Sequence, residues 1–133
     1  MARLAAGFNQ QIARLALQSY PMNYHDYCQQ KVAESGSSFY YAFLFLPTEK
    51  RQAIHALYAF CREVDDVVDE CEDPAVAAAK LSWWRQEVAL MESGSPTHPV
   101  MLALKATRQN FNLPVEYFNE IIDGMAMDLE YSR

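Results

Sequence analysis

Glycine and proline are scarce in this sequence, four and six residues in 133, which excludes low-complexity disorder over most of its length. Cysteine is scarcer still. Cys28, Cys61 and Cys71 form an odd set without metal-ligand spacing, and reduced cytosolic thiols are the expected state. Bases number 11 against 17 acids. No basic stripe is present to neutralise phosphates, so nucleic acid is excluded as a partner. No apolar run nears the roughly 18 residues of a membrane span, and the N-terminus lacks the apolar stretch of a secretory signal. The expectation is one soluble, cytoplasmic domain, and 51% apolar residues are enough for a buried core.

What is present is helical. Residues 1–21 place Leu4, Phe8, Ile12 and Leu15 at helical spacing, with Arg3 and Arg14 between them. They are read as an N-terminal extension, with an extra helix docked on the body as the alternative. A helix is expected over 23–34, broken by Ser35-Gly36-Ser37-Ser38. The run Phe39 to Leu46 is continuously apolar; a buried helix is favoured over a buried strand because its neighbours are helical. Pro47 ends it. Thr48 is the expected N-cap of the longest helix, over 49–70, whose apolar stretch from Ala53 to Cys61 suits the inside of a bundle. Asp73 and Pro74 read as N-cap and N1 of the next helix, ending near Glu92. Two more are expected near 98–110 and 114–133. Nothing alternates with period two, so the fold class is all-α.

Charge is concentrated in one place. Residues 62 to 73 hold seven acids and one base, and the rest of the chain holds ten of each, so these twelve residues account for the whole net charge of −6. Asp65 and Asp69 stand at i and i+4, where like charges cost roughly 0.2–0.5 kcal/mol on a helix; the negative end of the helix dipole adds to that cost. Counting back along the same stripe gives Arg62 and Tyr58. Polar groups on an otherwise buried helix face a cavity more readily than a dry core. Mg²⁺ suits such carboxylates, since it keeps several waters and bridges one or two acids to substrate phosphates. Arg62 adds a planar fork that binds phosphate in a bidentate manner. The competing account is a solvated acidic helix end, with Arg62 paired to Asp66 or Asp69.

The stretch from Ser38 to Glu70, SFYYAFLFLPTEKRQAIHALYAFCREVDDVVDE, resembles the first signature region of the squalene/phytoene synthases. Ser-Phe opens it, Leu-Pro precedes the long helix, and a Tyr-Ala-x-Cys-Arg-x-x-Asp-Asp-x-x-Asp run closes it. The segment YCQQKVAESGSSFYYAF further resembles bacterial presqualene diphosphate synthases of hopanoid pathways, and Gly124 to Leu129 is similar to the family's Gly-x-x-x-Asp-Leu segment. The resemblance covers residues 22–133 and implies the N-terminal half of an isoprenoid-synthase helical bundle.

By resemblance, Asp65 and Asp69 match the Mg²⁺-binding aspartates, Asp66, the acid beside them, is counted with them as a metal ligand, and Arg62 matches the arginine that contacts diphosphate. Ser38, Phe39 and Tyr58 match residues lining the prenyl-donor pocket; Tyr58 is counted with Asp65 and Asp69 as catalytic. The implied reaction is head-to-head condensation of two farnesyl diphosphates toward presqualene diphosphate and squalene, with peripheral membrane contact for the apolar product. Phe39, Tyr40, Tyr41, Phe43 and Phe45 offer cavity walls, although ordinary core is the preferred account of most of them. The family's second aspartate-rich motif has no counterpart, since Asp123 and Asp128 do not reproduce it. The expectation is therefore a fragment that is inactive alone and self-associates through exposed helix faces. Two alternatives stand beside it: a chain-elongating prenyltransferase or terpene cyclase, and a non-catalytic helical assembly subunit. His55 is expected as a satisfied core histidine, Cys61 as apolar filler, and one of Trp83 and Trp84 in the core with the other near the surface.

Overall fold

A computed structural model of the chain describes residues 23–36 and 39–131, leaving the side chains of Phe39 and Tyr131 aside. The expected segment 1–21 lies outside these residues. The described residues form six helices and no strand, in the order α1 (Tyr24–Glu34), α2 (Phe39–Phe43), α3 (Thr48–Glu70), α4 (Pro74–Ser93), α5 (Pro99–Thr107) and α6 (Val115–Tyr131). The all-α expectation holds.

Local chemistry explains most boundaries. Asn23 caps α1, its side chain accepting from the Asp26 N–H at 3.0 Å, and Gly36 leaves the helix with φ at 72°, a conformation glycine takes without a Cβ clash. Asp73 caps α4 through the Ala75 N–H at 2.9 Å, and Pro74 opens it as expected. α5 is shorter than expected: residues 108–110 form a turn after it, and His98 stands outside it as its cap, Nδ1 accepting from the Val100 N–H at 3.1 Å. Thr48 is a correction. The cap position of α3 belongs to Pro47, with no side-chain cap bond. The Pro47 carbonyl accepts the first helical hydrogen bond, from Arg51 N–H at 2.8 Å, so Thr48 already lies within the helix.

α3, 23 residues long and so about 34 Å, is the central strut and packs on α1, α4, α5 and α6. Its buried positions His55, Ala56, Ala59, Phe60, Val64 and Val67 recur every three or four residues along one stripe. Phe60 anchors that stripe, edge-on to Trp84 at 5.9 Å and to Phe118 at 5.4 Å between ring centroids. Truncating so central a ring costs about 3–5 kcal/mol. Trp84 is core and Trp83 lies at the surface.

The apolar run after α1 is the main departure. It forms only the short helix α2, and Tyr41 and Phe45 are 68% and 90% exposed, with Leu44 also exposed. A continuous apolar string carries no sign of which neighbour covers it, and here the described helices cover only part of it: Tyr40 and Phe43 pack over His55 of α3, and Gln29 of α1 donates to the Tyr40 hydroxyl at 3.4 Å. His55 itself is buried, and among the described residues its Nε2 has no hydrogen-bond partner, where a satisfied core histidine was expected. No disulfide joins the three cysteines, Cys28 buried and Cys61 and Cys71 half-buried; burial, then the nearby Glu63, pushes the Cys28 thiol up to about 12.

Candidate functional site

The last three turns of α3 carry the acidic cluster. Because Arg62, Asp65, Asp66 and Asp69 are three or four residues apart, the helix itself brings them together. Arg62 Nε lies 3.3 Å from Asp66 Oδ1, and Arg62 Nη1 lies 3.8 Å from Asp65 Oδ2. The pairing of Arg62 with Asp66 was foreseen in the competing account of a solvated helix end. Asp69 enters no ion pair among the described residues and is exposed. Burial and then the charge of Asp69, with a hydrogen bond between the two carboxylates, push the Asp65 carboxyl above its ordinary range; Arg62 opposes this only in part. Asp65 and Asp69 are thus the under-neutralised pair of the cluster.

A second helix meets this cluster from the side. Lys31 of α1 reaches Asp66 Oδ2 at 3.3 Å and Glu63 Oε1 at 3.5 Å, and the Tyr27 hydroxyl donates to Glu63 Oε1 at 3.1 Å. Burial alone would lower the Lys31 ammonium, but Glu63 and the bonded Asp66 outweigh it and hold it above its usual range. Burial first, and then Glu63, push the Tyr27 hydroxyl far up. Sequence reasoning missed Lys31, Tyr27 and Glu63. The only trace was the i, i+4 spacing of Tyr27 and Lys31, and nothing in it says that residue 66 lies opposite.

Tyr58 lies two turns before Asp65, its hydroxyl accepting from Ser35 Oγ at 3.4 Å and its ring edge-on to Phe43 at 6.3 Å. α3 therefore unites Tyr58, Arg62, Asp65, Asp66 and Asp69. Ser38 and the Phe39 side chain lie outside what the structure describes. The cavity expected over the aspartates is not formed by the described helices. Asp69 and Arg62 face outward, and a groove of about 550 Å³ lies elsewhere, between α4 and α6 around Leu81, Arg85 and Leu129. Among the described residues no three His, Cys, Asp or Glu side chains converge as a metal cage. Two carboxylates remain a fitting donor set for Mg²⁺, which draws the rest of its octahedron from water and phosphate oxygens. No described helix is long and apolar enough to cross a membrane.

Comparison with known proteins identifies the family. The family model described as squalene/phytoene synthase matches residues 32–133. The chain is 33% identical to the phytoene synthase of Arthrospira platensis over 109 residues, which is 82% of this chain and 35% of that protein. It is 39% identical over 95 residues to the presqualene diphosphate synthase of Rhodopseudomonas palustris, covering 71% of this chain and 34% of that protein. The presqualene diphosphate synthase of Zymomonas mobilis is also 39% identical, over 71% of this chain and 32% of its own. The chain spans about a third of the length of these relatives. All-α among its described residues and matched over residues 32–133, the chain belongs to the squalene/phytoene synthase family.

Proposed function

We propose that this chain supplies one wall of the site in which two farnesyl diphosphates are joined head to head toward presqualene diphosphate, in the service of squalene or hopanoid formation. The observation that carries this reading is the Asp65–Asp69 pair, under-neutralised beside an exposed Arg62 on the central helix. Repulsion between the carboxylates is relieved when a divalent cation and a diphosphate are taken up together. The fifteen-carbon substrate rests on the resemblance of residues 27–43 to presqualene diphosphate synthases and on the two relatives of that name.

Asp65 and Asp69 would hold Mg²⁺, which when bound lends Lewis-acid stabilisation to a departing diphosphate. Arg62 orients the diphosphate with its fork. Tyr58, with the Phe43 ring beside it, flanks the reacting prenyl chain and helps exclude water from it. The 133 residues include one acidic wall of this kind. Neutralising a leaving diphosphate takes stabilisers on more than one side, and losing even one well-aimed group costs ~10²–10³ in rate. The chain by itself is accordingly proposed to bind substrate but not to turn it over. The product is apolar, and the exposed Tyr41, Leu44 and Phe45 suit contact with a membrane surface or with a second copy.

The test is calorimetric titration of Mg²⁺ with and without a non-ionisable farnesyl thiodiphosphate. Mg²⁺ uptake should strengthen at least tenfold with the analogue present, and Asp65→Ala/Asp69→Ala should erase that gain. Equal Mg²⁺ affinity in the parent and the double variant, with analogue present, would refute the reading.

A further inference from the structure

Asp66 sits in the middle of the aspartate run, yet its two oxygens are occupied by different cations from different helices. Oδ1 meets Arg62 Nε at 3.3 Å within α3, and Oδ2 meets Lys31 Nζ at 3.3 Å from α1. The geometry points to Lys31 as a positioning residue for the diphosphate site: by clamping Asp66 from α1, it fixes the carboxylate against which Arg62 is aligned and leaves Asp65 and Asp69 as the pair that meets metal and phosphate. This rests on the diphosphate reading above and goes beyond it, since Lys31 lies 35 residues from Asp66 and on another helix.

Three features separate this contact from an ordinary surface ion pair, which contributes little. The Lys31 and Asp66 side chains are only 25% and 19% exposed. Lys31 is flanked along α1 by Cys28 and Val32, both fully buried, so its backbone is locked to the core and its reach toward α3 is set by packing. Glu63, the second acid that Lys31 touches, is itself held by the Tyr27 hydroxyl, which keeps the ammonium between two carboxylates. Arg62, by contrast, is the more exposed partner at 44%. A long exposed guanidinium has no fixed direction of its own, and the Asp66 anchor supplies one. Loss of Lys31 would free Asp66 to swing toward Asp65 or toward the metal, and Arg62 would lose its alignment with it. Asp66 stands one contact from the phosphate through Arg62, and groups so placed typically change affinity 10–100-fold when lost; Lys31, one contact further out, belongs at the low end of that range.

The experiment uses the full 133-residue chain and calorimetric titration of the farnesyl thiodiphosphate analogue at saturating Mg²⁺, with thermal melts of every variant. Lys31→Met should weaken analogue affinity about tenfold, and Lys31→Arg should restore most of it. In the Asp66→Asn background, Lys31→Met should cause no further loss, because the effect runs through Asp66. Lys31→Gln replaces Lys31→Met if that variant does not fold. Parental affinity in Lys31→Met, even with a lowered melt, would overturn the proposal by making Lys31 a purely structural group. An undiminished tenfold loss in the Asp66→Asn background would overturn it by making Lys31 a direct ligand contact. A parent chain that binds no analogue fails differently: it removes the diphosphate reading, and the positioning role with it.

Discussion

The carboxylate of Glu87 accepts the backbone N–H of His98 at 2.8 Å, and the same oxygen accepts the Thr97 N–H at 2.9 Å and the Thr97 hydroxyl at 3.2 Å. Glu87 is 3% exposed. One buried acid of α4 thus satisfies the chain just before α5, where His98 in turn caps the helix and lies against Trp84 at 4.9 Å between ring centroids. Removing the acceptor leaves two backbone donors, on exposed Thr97 and half-buried His98, without their partner. Glu87→Leu should lower stability by about 2 kcal/mol, given ~1–3 kcal/mol for a buried group left unpaired and less where water reaches it. Urea unfolding would measure it, and a loss below 1 kcal/mol would show that water or a shifted loop takes over the role of Glu87.

The histidines make the fold sensitive to mild acid. Burial lowers His55, and Arg51 lowers it further; burial also lowers His98 and His25 despite opposing acids near each. A histidine whose folded value lies below its unfolded 6.5 binds fewer protons when folded. Stability is therefore full above about pH 6.5 and falls as the pH drops through that value toward the folded ones. His55→Phe, which keeps a ring between Tyr40 and Phe43 without a titrating group, should shrink the loss in urea midpoint between pH 7.5 and pH 5.5. An unchanged pH difference in this variant would remove His55 from the account.

The exposed ridge of α2 predicts association. Tyr41, Leu44 and Phe45 lie close together along five residues, and Phe45 is almost wholly solvent-facing, which marks an interaction or aggregation surface when such a patch is contiguous. Sedimentation should detect dimers or larger species in the parent chain, and Tyr41→Ser/Phe45→Ser should shift the distribution toward monomer with an unaltered melt. Identical distributions would exclude this ridge as the contact.

Catalysis should require more acid than this chain contains. Incubated with farnesyl diphosphate and Mg²⁺, the 133 residues should yield no detectable presqualene diphosphate or squalene. A version extended through a second aspartate-rich segment should yield both intermediate and product activity that Asp65→Asn abolishes. Turnover by the 133 residues that disappears in Asp65→Asn would show that one acidic wall is enough.

Much of this was legible one residue at a time. The cap at Asp73, the proline that opens α4 and the three-and-four periodicity of α3 are local matters, decided by hydrogen bonds and side-chain spacing within a turn or two. The stripe that joins Tyr58, Arg62, Asp65 and Asp69 follows from 3.6 residues per turn and needed no partner helix. Other features depended on chain segments far apart in sequence. Nothing local distinguished Phe60, which is buried at the centre, from Phe45, which faces solvent, because burial depends on which helices arrive from elsewhere. The same holds for Asp66. Its place in the motif is written in five consecutive letters, but its two cationic partners, and the contrast they create with Asp65 and Asp69, exist only because α1 packs across α3. Periodicity sets the face on which a charge stands; long-range packing sets what neutralises it.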